Sequence, residues 1–546
     1  MQRILSLLMV MVLMLGMLAG CGGENSTSAV STPADASVVE SVEQVEPEHE
    51  AEASVTSVEE STAITIEENE AMFPLEENKT YTIYYPFAPP LIMMGYEDPA
   101  ELNFFKNLEQ MTNVTLDFTT VSVEVLSEQF NLVVAGGDYP DIFSQCMDQY
   151  TGGAGAAIED GVIIDIAPYV EEYAPHYMTM MEADPEFKKF NYTDEGQMSQ
   201  FMSYYQDVYV NQGYFVRTDW LEEQGLEVPE TYDDWFEVLC AFDSAYDMAL
   251  PARGVPTSGY HGVLKNNCLV RDGEVIYVYA DKELQSEYLA QCKKWFEAGL
   301  YNAESLMDGY YTDTDLRGMV TSGDLMLTTC DVDQYKVYQE EVPLMPVSLP
   351  VLEEGATPYQ VVAQSRVGNG NTITTACEDV ETLVAYMDYW YSNEVVLLAN
   401  WGVEGETYMV DDAGNYAYTE EVLNFSGGLN LATSVFCAGW EPTILDWHRK
   451  DSAYNEDQLN AIEIWNVFDN SLNYPSFTSL TEEENEVIRT TFTDISTYVD
   501  EHYAQFQNCE KDYETEYDAF VETLYEMGLQ DVIDVYQAAY DRYMAR

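Results

Sequence analysis

The chain has 546 residues, and 98 Asp and Glu stand against 21 Lys and Arg, a formal net charge of -77. Repulsion of that size excludes nucleic acid and an anionic membrane surface as charge-held partners, and it favours neutral or cationic ligands unless the few cations converge locally. Hydrophobic residues make up 47% and aromatics 13% of the sequence, so core material is ample, and the length exceeds what one hydrophobic core sustains.

The N-terminus reads as an export signal. Arg3 precedes an apolar run from Ile4 to Met17, shorter than the roughly 20 residues of a membrane-spanning helix. Leu18-Ala19-Gly20-Cys21 then matches the bacterial lipobox, which predicts a signal peptide over 1–20 and a mature chain that starts at a lipid-bearing Cys21. Two acyl chains suffice for stable anchoring, which places the protein on the outer face of the cell membrane. From Gly22 to about Ala71 there is no Lys, Arg or aromatic residue, the composition of a disordered tether, taken here as 21–75. About 50 flexible residues span about 40 Å, and the glutamates extend them further.

The globular part opens with a strand at Thr80–Tyr85. Asp98-Pro99-Ala100-Glu101 supplies an N-cap, a Pro at N1 and an acidic N3 for a helix whose buried stripe is Leu102, Phe105 and Leu108. Val114, Leu116 and Phe118 alternate with Thr115, Asp117 and Thr119 as in a strand, a helix follows over 123–135, Gly136-Gly137 stops it, and Ile142-Phe143 starts the next strand. Strands alternating with helices predict an α/β fold with a parallel sheet. Thr231 and Asp234 form a capping box ahead of the apolar face Trp235, Val238, Leu239 and Phe242. Leu325–Thr329 is strand-like, and Val532, Val535, Tyr536, Ala539, Tyr540 and Tyr543 mark a packed C-terminal helix.

Four stretches in order carry a resemblance: NLVVAGGDYPDIF from Asn131, YFVRTDWLEEQGLEVPETYDDW from Tyr214, WGVEGETY from Trp401, and the C-terminal run from Leu480 that contains VYQAAYDRY. They are similar to the family 1 extracellular solute-binding proteins, the capture subunits of ABC importers, and most like its large, mainly carbohydrate-binding lipoprotein branch. The resemblance implies a two-lobed periplasmic-binding-protein-like fold of type II, with hinge strands and a ligand cleft between the lobes. By the family order the first lobe comprises 76–207 and 366–402, and the second 208–365 and 403–546. The partners it implies are an oligosaccharide and an ABC permease, with the chain acting as a monomer. Relatives carry a calcium-loop-like DxDxNGxxDE after a helix ending in "AF"; here Ala241-Phe242 is followed by Asp243-Ser244-Ala245-Tyr246-Asp247, without the alternating carboxylates or the turn Gly, so no calcium is expected there.

Sugar recognition calls for flat apolar faces and planar polar groups. Gln145, Asp148 and Tyr150 follow the strand at Ile142 and, by resemblance to the maltose-binding relative, line the cleft; Asp138 and Tyr139 precede it and serve a turn and a packing role as readily. Arg217, Asp219 and Trp220 form the family's RxDW, which suits a ligand fork or a structural ion pair with a core Trp. Asp331 and Tyr335 follow a strand, and Trp401 and Trp440 are stacking platforms that could equally fill a core.

No Gly-x-Ser-x-Gly elbow, Walker loop or HExxH is present, and His176, His261, His448 and His502 are isolated, so no catalytic residue is assigned. The eight cysteines beyond Cys21 show no metal spacing, and an exported location permits disulfides without requiring them. No cofactor or metal is expected. The chain thus reads as a non-enzymatic capture protein, with a lipid-anchored glycan hydrolase and a surface sensor or adhesion lipoprotein as the alternatives.

Overall fold

A computed structural model describes residues 63–150, 153–208, 210–257, 268–306, 313–360, 366–426, 428–475 and 478–546. Cys21, the signal segment and most of the expected tether lie outside these residues, as do 361–365 in one expected crossing between lobes. In chain order the strands are β1 Lys79–Phe87, β2 Val114–Ser122, β3 Ile142–Ser144, β4 Phe201–Tyr205, β5 Gln212–Arg217, β6 Cys268–Arg271, β7 Glu274–Tyr277, β8 Thr329–Asp331, β9 Leu344–Val347, β10 Val367–Ile373, β11 Tyr408–Val410, β12 Tyr416–Tyr418 and β13 Ile444–Leu445.

A six-stranded sheet runs in the order β13-β4-β10-β3-β1-β2. β1 pairs in parallel with β2 and β3, and β13 with β4, while β10 is antiparallel to both β3 and β4. The sheet is therefore mixed, because β10 enters it after an excursion through the rest of the fold and returns from the opposite end. Gly370 sits at a register shift between β10 and β4, where an added Cβ would come within 1.9 Å of the Phe201 carbonyl oxygen, so only glycine fits. A second, three-stranded sheet has the order β8-β5-β9.

Two large apolar cores follow from these sheets within one compact unit, 61–546. One gathers Tyr81, Ile83 and Tyr85 of β1, Phe104, Phe105 and Leu108, Tyr177, Phe201, Tyr386, Trp390 and Leu445. The other gathers Phe215, Trp220, Trp235, Leu239, Trp295, Tyr335, Trp465, Leu524 and Tyr536. The locally coded elements form as their caps dictate. Thr231 Oγ1 accepts from the Asp234 amide at 3.1 Å and Asp234 Oδ2 from the Thr231 amide at 2.8 Å, which starts helix Tyr232–Tyr246. Asp98 and Glu101 form a capping box on a short 3-10 turn, and the α-helix proper is Asn103–Thr112. Of the strand-like run 325–329, only its last residue belongs to β8, since the Met326 and Leu327 amides donate to the Pro251 carbonyl instead.

Two expectations need correcting. The expected tether reached 75, yet Ile66–Met72 is a helix with Thr65 and Glu68 as its capping box; Asn69 is buried and donates to the Ala385 carbonyl at 3.0 Å, so docking on a distant helix overrides the polar composition. Residues 403–445, expected in the second lobe, pack with the first. β13 aligns Ile444 with Tyr204 and Leu445 with Tyr205, and Asn400 fastens it by donating to the Ile444 carbonyl and accepting from the Asp446 amide. The chain leaves this lobe over 446–455 and reaches the other at helix Glu456–Trp465.

Candidate functional site

The seam between the cores is built from that last crossing. Trp447 packs against both apolar cores and stacks on Tyr205, the last residue of β4, with ring centroids 4.7 Å apart. Ser203, two residues earlier on the same strand face, donates to the Trp440 carbonyl at 3.4 Å. Trp440 is 59% exposed, an unusual position for a large indole. The next residue, Glu441, is 3% exposed: Oε1 accepts from the Tyr85 hydroxyl at 2.7 Å and Oε2 from the Trp440 amide at 2.9 Å. Burial raises the Glu441 carboxyl above its ordinary range, against the Tyr85 bond and the backbone amides of its own turn, which favour the anion. Tyr205 ends β4 and Trp447 follows β13 at the carboxyl end of the sheet, where ligands bind in open α/β folds, while Trp440 and Glu441 lie on the segment that leads into β13.

Two cations belong to the same turn. Arg449 is buried and spends its guanidinium on the carbonyls of Ala399 and Ala438, both at 3.0 Å. Lys450 donates to Asn430 Oδ1 and is lowered to about 8 by burial and by Arg449, against the carboxylates of Asp333 and Asp331. Because the folded value lies below the ordinary 10.5, the unfolded chain binds the extra proton between these values and stability rises with pH there. Lys450→Met is therefore expected to melt higher than the parent at pH 7, with the gap closing by pH 10.5, as melting curves at the two pH values would show.

Beside the crossing lies a cavity of about 490 Å³ lined by Asp207, Val208, His448, Asp451, Leu459, Ile462, Glu463 and Asn466. Asn466 pins the first crossing strand, accepting from the Val210 amide at 2.8 Å and donating to its carbonyl at 2.7 Å. His448 Nδ1 lies 2.7 Å from Asp451 Oδ2, which holds the imidazole above its usual range although burial pulls it down.

The candidates named from sequence are dispersed. Trp220 is 8% exposed, stacks on Tyr246 at 4.0 Å and carries the Arg217 guanidinium over its ring; Arg217 is forked onto Asp219 at 2.9 and 2.6 Å. Tyr335 is fully buried against Trp465, its hydroxyl 3.3 Å from the Leu344 carbonyl. Asp331 caps helix Val332–Glu341 through the Asp333 and Gln334 amides. These groups are held by partners within their own fold. Trp401 is wedged among Tyr408, Tyr416 and Tyr418. After β3, Gln145 holds a left-handed backbone (φ 51°) and its amide donates to Gly370; Asp148 is exposed and bonded to Gln149; Tyr150 donates to Asp160 at 2.7 Å; Tyr139 packs edge-on to Phe143. Of the ten, Trp440 is the one whose carbonyl is bonded by Ser203 of β4, with its indole 59% exposed. Glu441, Tyr205 and Trp447 were not singled out from sequence, since one acid among 98 and one Tyr among 42 carry no local signal.

No family model matches the chain. The fructooligosaccharide ABC transporter substrate-binding protein FusA of Streptococcus pneumoniae is 23% identical over 527 residues, 87% of this chain and 92% of that protein. Lipoprotein LipO of Bacillus subtilis is 25% identical over 398 residues, 66% of this chain and 76% of LipO. The chain is a homologue of ABC-transporter substrate-binding proteins. Among solved structures, the alginate-binding protein AlgQ2 without calcium ion superposes with a TM-score of 0.68 at 20% identity, covering 86% of this chain and 99% of AlgQ2. FusA in complex with kestose gives the same score and identity over 85% of this chain and 99% of FusA. Both likenesses support the two-lobed substrate-binding fold. Where the family's calcium loop would begin, Asp243 lies inside helix Tyr232–Tyr246 and its carbonyl accepts from Asp247, the left-handed cap.

Proposed function

We propose that this chain is the capture subunit of an ABC importer, that it binds an oligosaccharide between the lobes with Trp440 and the stacked pair Tyr205 and Trp447 as candidate contacts, and that it performs no chemistry on it. The observation that carries the reading is the alignment to a fructooligosaccharide-binding subunit over 87% of the chain, which runs through both cores. Exposed and seam-spanning indoles supply the stacking faces that pyranose and furanose rings use. Closure would follow from a ligand's greater affinity for the closed arrangement, and that closed surface would be what the permease recognises.

A thermal-shift screen with oligosaccharides and peptides tests the reading, since ligand at 100 times its dissociation constant adds about 2.7 kcal/mol. A shift with peptides and none with saccharides overturns the ligand class, and sugar release from glycans by the purified protein would mark a hydrolase instead. Trp440→Ala is expected to weaken saccharide binding by about 2 kcal/mol, roughly 30-fold, with folding stability changed by less than about 0.5 kcal/mol because the indole is exposed. Titration calorimetry and melting curves separate the two effects.

The proposal extends to location: a lipid on Cys21 holds the monomer at the outer face of the cell membrane, behind an acidic tether that gives it reach to the permease. No helix among the described residues is long and apolar enough to cross a membrane. Cys21→Ser is expected to move the protein from the membrane pellet to the medium, and an anchored Cys21→Ser product would disprove the lipid.

A further inference from the structure

The last helix, Leu529–Ala545, is rooted in the core of the second lobe through Val532 and Tyr536, but its final turn lies against the first lobe. Tyr543 is 6% exposed without belonging to either large core. The first lobe covers it: the Phe190 ring stacks on it with centroids 6.3 Å apart, and the Lys189 ammonium lies 5.9 Å over its ring. Arg546 donates through Nη1 to the Tyr192 carbonyl at 2.6 Å and the Lys189 carbonyl at 3.1 Å, and it shares the Asp194 carboxylate with Arg542. Phe190 and Tyr192 pack on the first lobe's core, so two guanidinium groups and a ring of one lobe are seated on carbonyls, a carboxylate and a ring of the other.

The place of this contact relative to the crossings gives it a direction. The chain passes between the lobes after Tyr205 at the end of β4, after Leu445 at the end of β13, and before Val367 at the start of β10. Because β13 is parallel and β10 antiparallel to β4, these exits share one end of the sheet, and the Tyr205 amide donates to the Arg366 carbonyl there. The contact lies toward the other end. Helix Pro185–Asn191 runs back along β4: Phe187 packs on the Tyr204 ring at 4.8 Å, and Asn191 is bonded by the Tyr177 hydroxyl, which itself accepts from the Met202 amide. Tyr192 then bridges to Met198, ahead of Phe201 where β4 begins. β4 separates the two ends by about 13 Å at about 3.3 Å per residue. A rotation about the crossings that brings the lobes together on the carboxyl-end face, where ligands bind in open α/β folds, therefore draws this contact apart.

Resting on the reading of this chain as a capture protein that closes on a saccharide, we propose that Asp194, Arg542, Tyr543 and Arg546 form a clasp behind the crossings that holds the unliganded lobes open and sets the affinity. A contact present in only one arrangement shifts the equilibrium by its full differential free energy. The Arg546 and Asp194 side chains are 9% and 12% exposed, so salt screens this pair less than an open surface pair. Ligand must part the clasp in order to be held, and the apparent affinity falls by the fraction of molecules free to close. Affinity is thereby tuned at residues that do not line the ligand face.

The test is calorimetric titration with kestose, maltotriose, cellotriose and trigalacturonate, together with small-angle scattering. Both use the full chain carrying Cys21→Ser, with and without Asp194→Asn or Arg546→Gln. The expected result is that whichever saccharide the parent binds is bound about 10-fold more tightly by Asp194→Asn, with a smaller gain for Arg546→Gln. Both variants melt lower than the parent, and the radius of gyration of unliganded Asp194→Asn moves toward that of the saccharide-bound parent. A lower melting temperature with unchanged or weakened affinity marks a mere structural brace and overturns the clasp while leaving saccharide capture standing. Arg317→Gln removes the 2.8 Å pair with Glu341, which lies within the second lobe, and should alter neither affinity nor radius; an equal tightening there also overturns the clasp. If the parent binds none of the four saccharides, the capture reading fails by itself and scattering decides the clasp. Contraction of unliganded Asp194→Asn then supports it, and an unchanged radius overturns it.

Discussion

Asp388→Ala is expected to destabilise the fold by about 3–5 kcal/mol, the range for removing one partner of a buried charged pair. Asp388 is completely buried on helix Val380–Tyr389 and faces the first turn of helix Pro175–Ala183. It accepts from the Tyr177 amide at 2.8 Å and the His176 amide at 3.3 Å, so the anion sits at a helix N-terminus, where the unsatisfied N–H groups and the macrodipole favour it. The substitution strands two helix amides and an imidazolium in a dry place. Burial pulls His176 down, but the bonds to Asp388 and Glu70 outweigh it and its folded value is raised above 6.5. The stabilisation from charged His176 is therefore complete below the unfolded value and drains away as pH rises through the folded one. Urea unfolding at pH 6 and above pH 8 should show the gap between parent and Asp388→Ala narrowing with pH. Asn at 388, which keeps one acceptor, should fall between the two.

Asp194→Ala is the second large effect, expected at about 3 kcal/mol. Asp194 lies in the loop between helix Pro185–Asn191 and β4. Arg542 Nε reaches its Oδ2 at 2.6 Å, and Arg546 reaches Oδ1 through Nε at 2.8 Å and Nη2 at 2.6 Å. Both arginines stand on or just after the last helix, Leu529–Ala545, whose Val532 and Tyr536 belong to the other core. Arg542 keeps a bidentate grip on Glu484 at 2.8 and 2.5 Å, so the loss falls mainly on Arg546, which is 9% exposed and whose other bonds include the Lys189 and Tyr192 carbonyls and the Ser479 hydroxyl. Because the contact ties the C-terminal helix of one lobe to a loop of the other, scanning calorimetry should show the variant's melting lowered and broadened toward two transitions. A single transition at the parent's temperature would show that the pair contributes nothing.

Much of the fold was legible because it is coded locally. Capping at Thr231 and Asp234, the alternation at Val114–Thr119, and the three- and four-residue spacing at Val532–Tyr543 act over a few residues, and each produced the element expected. The placement of 403–445 was not legible. β13 is two residues long, and what assigns it to a lobe is pairing with Tyr204 and Tyr205, about 240 positions earlier, together with the Asn400 bonds. The surroundings of Trp220, Tyr335 and Asp331 were not legible for a related reason. Their chemistry suits a ligand, but a stacking ring, a core pocket and a helix N-terminus take it first, and those partners are set by packing.

The sequence by itself determined the fold class, the likeness to substrate-binding subunits and the charge that disfavours acidic ligands. These rest on composition, short-range periodicity and motif order. Only the tertiary structure decided which acids among the described residues are buried, which indole stands open beside Glu441, and where the chain crosses between the cores. Burial is a property of what surrounds a residue. Glu441 acquires it from Tyr85, more than 350 positions away, and no local pattern in the chain records that contact.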